Sequence, residues 1–216
     1  MGTSETCKTT ETQLARIARL SASDRHKQFT CLMHHFNEAS LSACYSQLDG
    51  RKAVGADGVS KADYGVELAN NLKELVMRMK RLAYRPGPVR RVLIPKADKP
   101  GAMRPLGISN IEDKLVQCVM HKVLESIYEP LFLDCSYGFR AGRGCHDAVQ
   151  ALHQYLFRHE VDTVIDVDLA CFFDTIDHQK LLEMLSEKIK DSRFLRYVAR
   201  MFKAGVLTEG ERVVDI

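Results

Sequence analysis

No apolar run in the 216 residues approaches the ~18 that a membrane-spanning helix needs, so membrane insertion is not expected. The polar start, Met1 to Glu11, leads into no apolar leader-like stretch, and an intracellular, cytoplasmic protein is expected. Seven cysteines, at 7, 31, 44, 118, 135, 145 and 171, are scattered and odd in number, with no Cys-x-x-Cys spacing. That speaks against a zinc site or a disulfide framework, and most of the thiols are expected to be small buried apolar groups in a reducing compartment. His34 and His35 are adjacent, and neighbours on a helix diverge by about 100°, too far for a chelate. No Gly-x-x-x-x-Gly-Lys-Ser/Thr occurs, the glycines at 138, 142 and 144 do not follow a strand, and no Gly-x-Ser-x-Gly element is present. Internal repeats and low-complexity tracts are also missing.

What remains is ordinary in bulk and uneven in detail. Apolar residues make up 45% and charged residues 27%, enough for one large domain or two smaller ones with a real core. The net charge is only +3, yet Arg78 to Arg104 holds nine Lys or Arg against the single acid Asp98. A block this dense on a nearly neutral chain fits a phosphate-binding surface better than a merely solvated face.

The periodicity gives helices first. Leu14, Ile17 and Leu20 hint at a short helix in a Thr/Ser/Glu-rich start, followed by a helical region from Lys27 to Leu48. Three glycines make Asp49 to Gly58 a loop. Leu68, Leu72, Leu75, Met79 and Leu82 recur at three and four, the face of a helix that Pro86-Gly87-Pro88 closes. Val89–Lys96 and Arg104–Ile108 read as a strand and its return, joined by a turn at 97–103. Ser109-x-x-Glu112 predicts a capping box for a helix with Leu115, Val116, Val119, Val123 and Ile127 inward. A glycine-rich basic loop, Tyr137 to Gly144, feeds a helix with Val149, Leu152 and Leu156 inward, and Asp177 caps another bearing Leu181, Leu185 and Ile189. Helices, a hairpin, a helix, a strand and helices in that order predict an α+β fold.

The predicted strand Val164–Leu169 carries the chemistry. Alternation puts Ile165, Val167 and Leu169 on one face and Val164, Asp166 and Asp168 on the other, the two acids about 6–7 Å apart. Buried carboxylates need a cation, a hydrogen-bond donor or a wet cleft. Oxygen ligands beside phosphate groups favour Mg²⁺, and paired metals carry phosphoryl transfer. A solvated sheet face remains the plainer alternative.

Taken together, Val54-Gly-Ala-Asp-Gly-Val59, Ile94-Pro-Lys96, Arg104-Pro-Leu-Gly-Ile108, Ser136-Tyr-Gly-Phe-Arg-Ala-Gly-Arg143 with His146-Asp147, and Asp166 to His178 resemble the reverse transcriptases encoded by group II introns, which also act as maturases. His34-His35 fits the same pattern, and the similarity runs from about residue 30 onward. Ala141 and Gly144 stand where that pattern usually has Pro and Ser. The resemblance implies a right-hand polymerase, its helices packed on small antiparallel sheets. Residues 1–26 would be a mobile extension, 27–158 fingers with the basic hairpin, and 159–216 the start of a palm. It also implies that Asp168 and the Leu169 carbonyl hold Mg²⁺, with Asp166 the weaker candidate. Phe173 becomes a steric gate against ribose, Phe172 a core residue, and Lys96 and Arg104 the grip on an incoming deoxynucleoside triphosphate. Arg90, Arg91, Arg140 and Arg143 would contact template or intron RNA. For the loop 136–144 a second reading stays open, a structural turn with Arg140 paired to an acid. Expected partners are intron RNA template, DNA primer and deoxynucleoside triphosphates, and a homodimer is among the assemblies implied. Such palms need an aromatic-x-Asp-Asp turn, and no Asp-Asp pair occurs in the sequence. The chain alone is therefore expected not to polymerise, and a non-catalytic RNA-binding module is the alternative.

Overall fold

The computed structural model describes residues 3–96, 101–208 and 211–213. Its helices are α1 (Thr3–Ser23), α2 (Glu38–Gln47), α3 (Lys61–Val66), α4 (Leu68–Lys80), α5 (Ile111–Tyr128), α6 (Cys145–Arg158), α7 (His178–Lys188) and α8 (Ser192–Phe202). The strands are β1 (Val89–Pro95), β2 (Met103–Ile108), β3 (Val206–Thr208) and β4 (Glu211–Val213), in the sheet order β2-β1-β3-β4. The fold is α+β, as expected, but the sheet is mixed: β1 pairs antiparallel with β2 and parallel with β3. Residues 97–100 of the expected turn lie outside the described residues.

α5 is the axis of the core. Leu115, Val116, Val119, Val123 and Ile127 are all buried, as their spacing predicts, and α1 and α2 pack along them. Ile17 joins the core and the Ser21 hydroxyl donates to the Ile127 carbonyl, so α1 is part of this body rather than a detached extension. It is also much longer than its sparse apolar residues suggest. The region 27–48 is one helix only in its second half, because Phe29 makes an isolated parallel bridge to Ile189 and Leu32–Met33 turn toward Asp191. The Asp191 carboxylate accepts from the amides of Leu32 and Met33 with one oxygen and from Arg193 and Phe194 with the other. Four donors on one carboxylate offset its burial. Phe194, Tyr197 and Val198 on α8 complete the same core as Phe29 and Leu72. The expected division at residue 159 is thus not a division of the core.

α4 ends earlier than the Pro86-Gly87-Pro88 signal implies. Leu82 adopts φ 56°, and the amides of Leu82 and Ala83 return to the carbonyls of Met79 and Arg78. That is the Schellman pattern, here without the usual glycine. The Arg200 guanidinium covers the carbonyls of Leu82 and Tyr84 and the Tyr197 hydroxyl covers that of Met79, tying α8 to this turn.

Two expectations fail together. Val164–Leu169 forms no strand, and Ile165 and Val167 are about four-fifths exposed, at 82% and 78%. Val149, Leu152 and Leu156 on α6 are exposed as well, and α6 packs extensively against no other element among the described residues. Alternating apolar residues make a core strand only when another strand supplies hydrogen bonds and a surface to cover, and the described residues supply neither. The cysteine expectation fails too: Cys31, Cys135, Cys145 and Cys171 are exposed.

Candidate functional site

The hairpin places its cations by register. Ile94 faces Arg104 and Arg90 faces Ile108, so Arg90, Val92, Ile94 and Lys96 share a face with Arg104. Lys96 and Arg104 are diagonal neighbours on that face, about 7–8 Å apart at the backbone. Arg91 points to the opposite face. Arg104 and Arg91 are exposed and Lys96 is half-buried, and none of the three side chains has an ion-pair or hydrogen-bond partner among the described residues.

Arg90 behaves differently. Its guanidinium donates through Nε and Nη2 to the Val54 carbonyl, at 3.0 and 2.8 Å. The Lys114 ammonium reaches the Ala53 carbonyl, and the Asn110 side-chain oxygen accepts the Asp57 amide. Three side chains from β1 and α5 thereby hold the loop 49–58. Asn110 is the hub of this contact. A Cβ on Gly55 would stand 2.3 Å from its Oδ1 and one on Gly87 2.3 Å from its Nδ2, so both approaches require glycine. The predicted capping box does not form: Asn110 is the N-cap residue of α5, its side chain is turned to the loop, and the Ser109 hydroxyl accepts from Gln117. Beneath it, buried Asp113 accepts from the Tyr84 hydroxyl and the Gly87 amide. Burial raises its carboxyl above the usual range, against the lowering effect of those two donors. Spacing pointed to Ser109 and Glu112; only the folded loop reveals Asn110.

In the glycine-rich loop Arg140 is paired with an acid. Its guanidinium forks onto Glu129 at 2.8 Å and donates to the carbonyls of Leu133 and Ser136, leaving the side chain 6% exposed. It also lies over the Phe132 ring. The donors of Arg140 are engaged in shaping a turn, with an acid as partner. Arg143 pairs with the Asp134 carboxylate and stacks over Tyr137, but keeps part of its surface.

Asp168, Leu169 and Phe173 come together. With Val167 and Phe172 they line one open concavity of about 440 Å³. Asp168 is exposed and accepts no hydrogen bond from the described residues. Cys171, at φ 51°, opens the short 3-10 turn Phe172–Thr175 and swings both phenylalanine rings to the concavity. Phe173 is 72% exposed and meets Phe139 edge-on at 6.4 Å. The glycine-rich loop and the acid segment therefore meet, through a ring that the sequence pattern did not single out. Phe139 itself adopts φ 57°, uncommon for a bulky residue and a common mark of a working site. Phe172, expected in the core, is half exposed.

Toward a divalent metal, these residues offer the Asp168 carboxylate and the Leu169 carbonyl. No group of three His, Cys, Asp or Glu side chains able to hold an ion occurs among the described residues. The donor chemistry suits a hard cation, and the set is partial.

The sequence profile described as "Reverse transcriptase (RNA-dependent DNA polymerase)" matches residues 94–213, which include Lys96, Arg104, Asp168 and Phe173. The chain is 41% identical to an uncharacterized 91 kDa protein in the cob intron of Schizosaccharomyces pombe, over 83% of its own length and 22% of that protein. It is 32% identical to the group II intron-encoded protein LtrA of Lactococcus lactis, over 90% of its length and 32% of the relative. Protein YkfC of Escherichia coli is 36% identical over 74% of the chain and 42% of its own length. The chain thus spans less than half of each of these relatives.

Proposed function

The chain belongs to the reverse transcriptase (RNA-dependent DNA polymerase) family, on the branch of group II intron-encoded proteins, and from that premise we propose that it supplies the nucleotide-binding fingers and the first metal-binding acid of an intron-encoded enzyme. The observation that carries this reading is the shared concavity of Asp168, Leu169 and Phe173.

Asp168 and the Leu169 carbonyl would hold Mg²⁺, which when bound neutralises charge on the transferring phosphates. The other tasks fall to side chains. Lys96 and Arg104, on one face and without partners among the described residues, grip the triphosphate of the incoming deoxynucleotide. The Phe173 ring occupies the space a ribose 2′-hydroxyl would need and so favours the deoxy sugar. Arg91, on the other face, and the exposed edge of Arg143 contact the RNA template backbone. Arg90 and Arg140 act one step back by holding the loops 49–58 and 133–144 in shape. The enzyme works in the cytoplasm on intron RNA with a DNA primer, and assists splicing of that RNA. The residues here provide one metal-binding acid, so polymerisation belongs to a longer polypeptide that also carries the second carboxylate motif.

The test is primer extension on an RNA template with Mg²⁺, using such a longer polypeptide and this chain. Extension by the longer protein alone, abolished by Asp168→Asn, is the expected result. Phe173→Ala should keep extension and admit ribonucleotides; unchanged sugar selectivity would remove Phe173 from its role. A second reading, RNA binding without catalysis, draws on the unpartnered cations of the hairpin. RNA affinity falling steeply with salt while the longer protein never extends a primer would establish it.

A further inference from the structure

Both strands of the hairpin enter the helical body beside one residue. β2 runs through Ile108 and Ser109 directly into Asn110, the N-cap residue of α5. The lead-in to β1 reaches the same place from another side. A Cβ on Gly87 would stand 2.3 Å from the Asn110 amide nitrogen, and the Gly87 backbone N–H donates to Asp113, at 3.1 Å. The loop 49–58 closes the third side. Its Asp57 amide donates to Asn110 Oδ1 at 3.2 Å, and a Cβ on Gly55 would lie 2.6 Å from the Asn110 Cα. The Arg90 guanidinium grips this same loop at the Val54 carbonyl. Asn110 is 9% exposed and makes no side-chain bond to its own helix, although an asparagine at that position ordinarily serves the amides of the first turn.

We propose that Asn110 is a positioning residue for the incoming nucleotide: wedged between Gly55, Asp57 and Gly87, it sets the angle at which the hairpin leaves the body, and through that angle the place of Lys96 and Arg104. The inference rests on the reading of those two cations as the grip on the triphosphate. Ile94 faces Arg104 and Lys96 follows two residues on, so both cations sit at the end of the hairpin away from Asn110. A rotation of the hairpin as a whole moves each residue in proportion to its distance from the body. Lys96 and Arg104 move most, and Arg91, one residue beyond the Arg90 anchor, moves least. Loss of the Asn110 contacts is therefore felt at the nucleotide before it is felt at the template.

The experiment uses primer extension by the longer polypeptide that carries this chain, with KM for the deoxynucleotide and affinity for primer–template measured separately. The first variant is Asn110→Ser. Serine is a favoured N-cap, so the start of α5 is kept, but its hydroxyl ends one bond short of the amide atoms that meet Asp57 and Gly87. KM for the deoxynucleotide should rise at least about fivefold, within the roughly 100-fold that a misplacement of about 1 Å can cost, while primer–template affinity stays at the wild-type value. Gly87→Ala should raise the same KM by driving the Asn110 side chain from its place. The double variant should be no worse than Asn110→Ser alone, because the colliding amide is gone and the next contact, Asp113 Oδ2 at 3.5 Å, is an ordinary one.

Both single variants should keep the wild-type helix content by circular dichroism; where Asn110→Ser does not fold, Gly87→Ala decides. A wild-type KM in either folded variant overturns the proposal. So does an equal loss of nucleotide and primer–template binding, or a double variant whose effect is the product of the two single ones. Lys96→Ala and Arg104→Ala separate this inference from the reading beneath it. If they raise KM for the nucleotide while Asn110→Ser and Gly87→Ala do not, the grip stands and Asn110 loses its role. If they leave KM unchanged, the triphosphate reading falls and the role of Asn110 falls with it.

Discussion

The helical body around α5 and the arm formed by α6 and residues 159–173 have similar apolar content and opposite fates. In the body, Leu115, Val116, Val123 and Ile127 lose essentially all contact with solvent. In the arm, Leu152, Val164, Ile165 and Val167 keep most of it. The difference teaches that a pattern states what a segment can cover, whereas burial requires a second segment to cover it. The body draws its partners from α1, α2, α4 and α8; the arm meets the rest chiefly through rings such as Phe139.

Three measurements sharpen or break this contrast. Amide hydrogen exchange should show the largest effect. Amides of Leu115 to Val123 should be slowed by roughly three orders of magnitude or more, and those of Val164 to Leu169 hardly at all, given the stability of a typical domain. Strong protection at 164–169 would mean that the arm has found a partner strand. Second in size, Leu115→Ala should cost about 2–5 kcal/mol in a denaturant titration, because it empties a site with no solvent access. Leu152→Ala should stay within about 0.5 kcal/mol, and a loss comparable to that of Leu115→Ala would place α6 in a core.

The third test uses pH. His35 is 1% exposed, neither ring nitrogen has a hydrogen-bond partner among the described residues, and burial, with His34 beside it, lowers its imidazole from 6.5 to about 4. The unfolded chain takes up this proton first as pH falls, so the histidine destabilises the fold progressively from about pH 6.5 down to about 4 and has no effect above that window. The shift corresponds to at most about 3 kcal/mol. Asp113, with its carboxyl raised, acts in the opposite sense, so the comparison is wild type against His35→Phe. The variant should lose the acid-side slope; an unchanged slope would assign it to carboxylates.

Several features were legible because their cause is local. The inward faces of α4 and α5 follow from spacing, and Asp177 caps α7 through the amides of Gln179 and Lys180 as its position predicts. The hairpin and the neighbourhood of Asp168 with Phe173 also follow from short stretches of chain. What escaped depends on distant partners. Asn110 abandons its own helix for Asp57, and Leu82 takes a left-handed turn that α8 then covers. No window of sequence contains both ends of such contacts. The unburied segment 164–169 is the same lesson inverted: the alternation is there, and the described residues hold no second strand to complete it.

The short parallel pairing of β1 with β3 has a mechanical consequence. Among the described residues only Val89 and Arg90 are backed by Val206 and Leu207, so the rest of the hairpin is a cantilever rooted at those two residues and at the Arg90–Val54 contact. From Arg90 to Lys96 it projects about 20 Å at 3.3 Å per residue. A tilt of roughly 10° at the root carries the Lys96 end through about 3.5 Å over that length, comparable to a long hydrogen bond. The stiffness of that two-residue pairing and of one arginine–carbonyl fork together sets how steadily the outer cations are held.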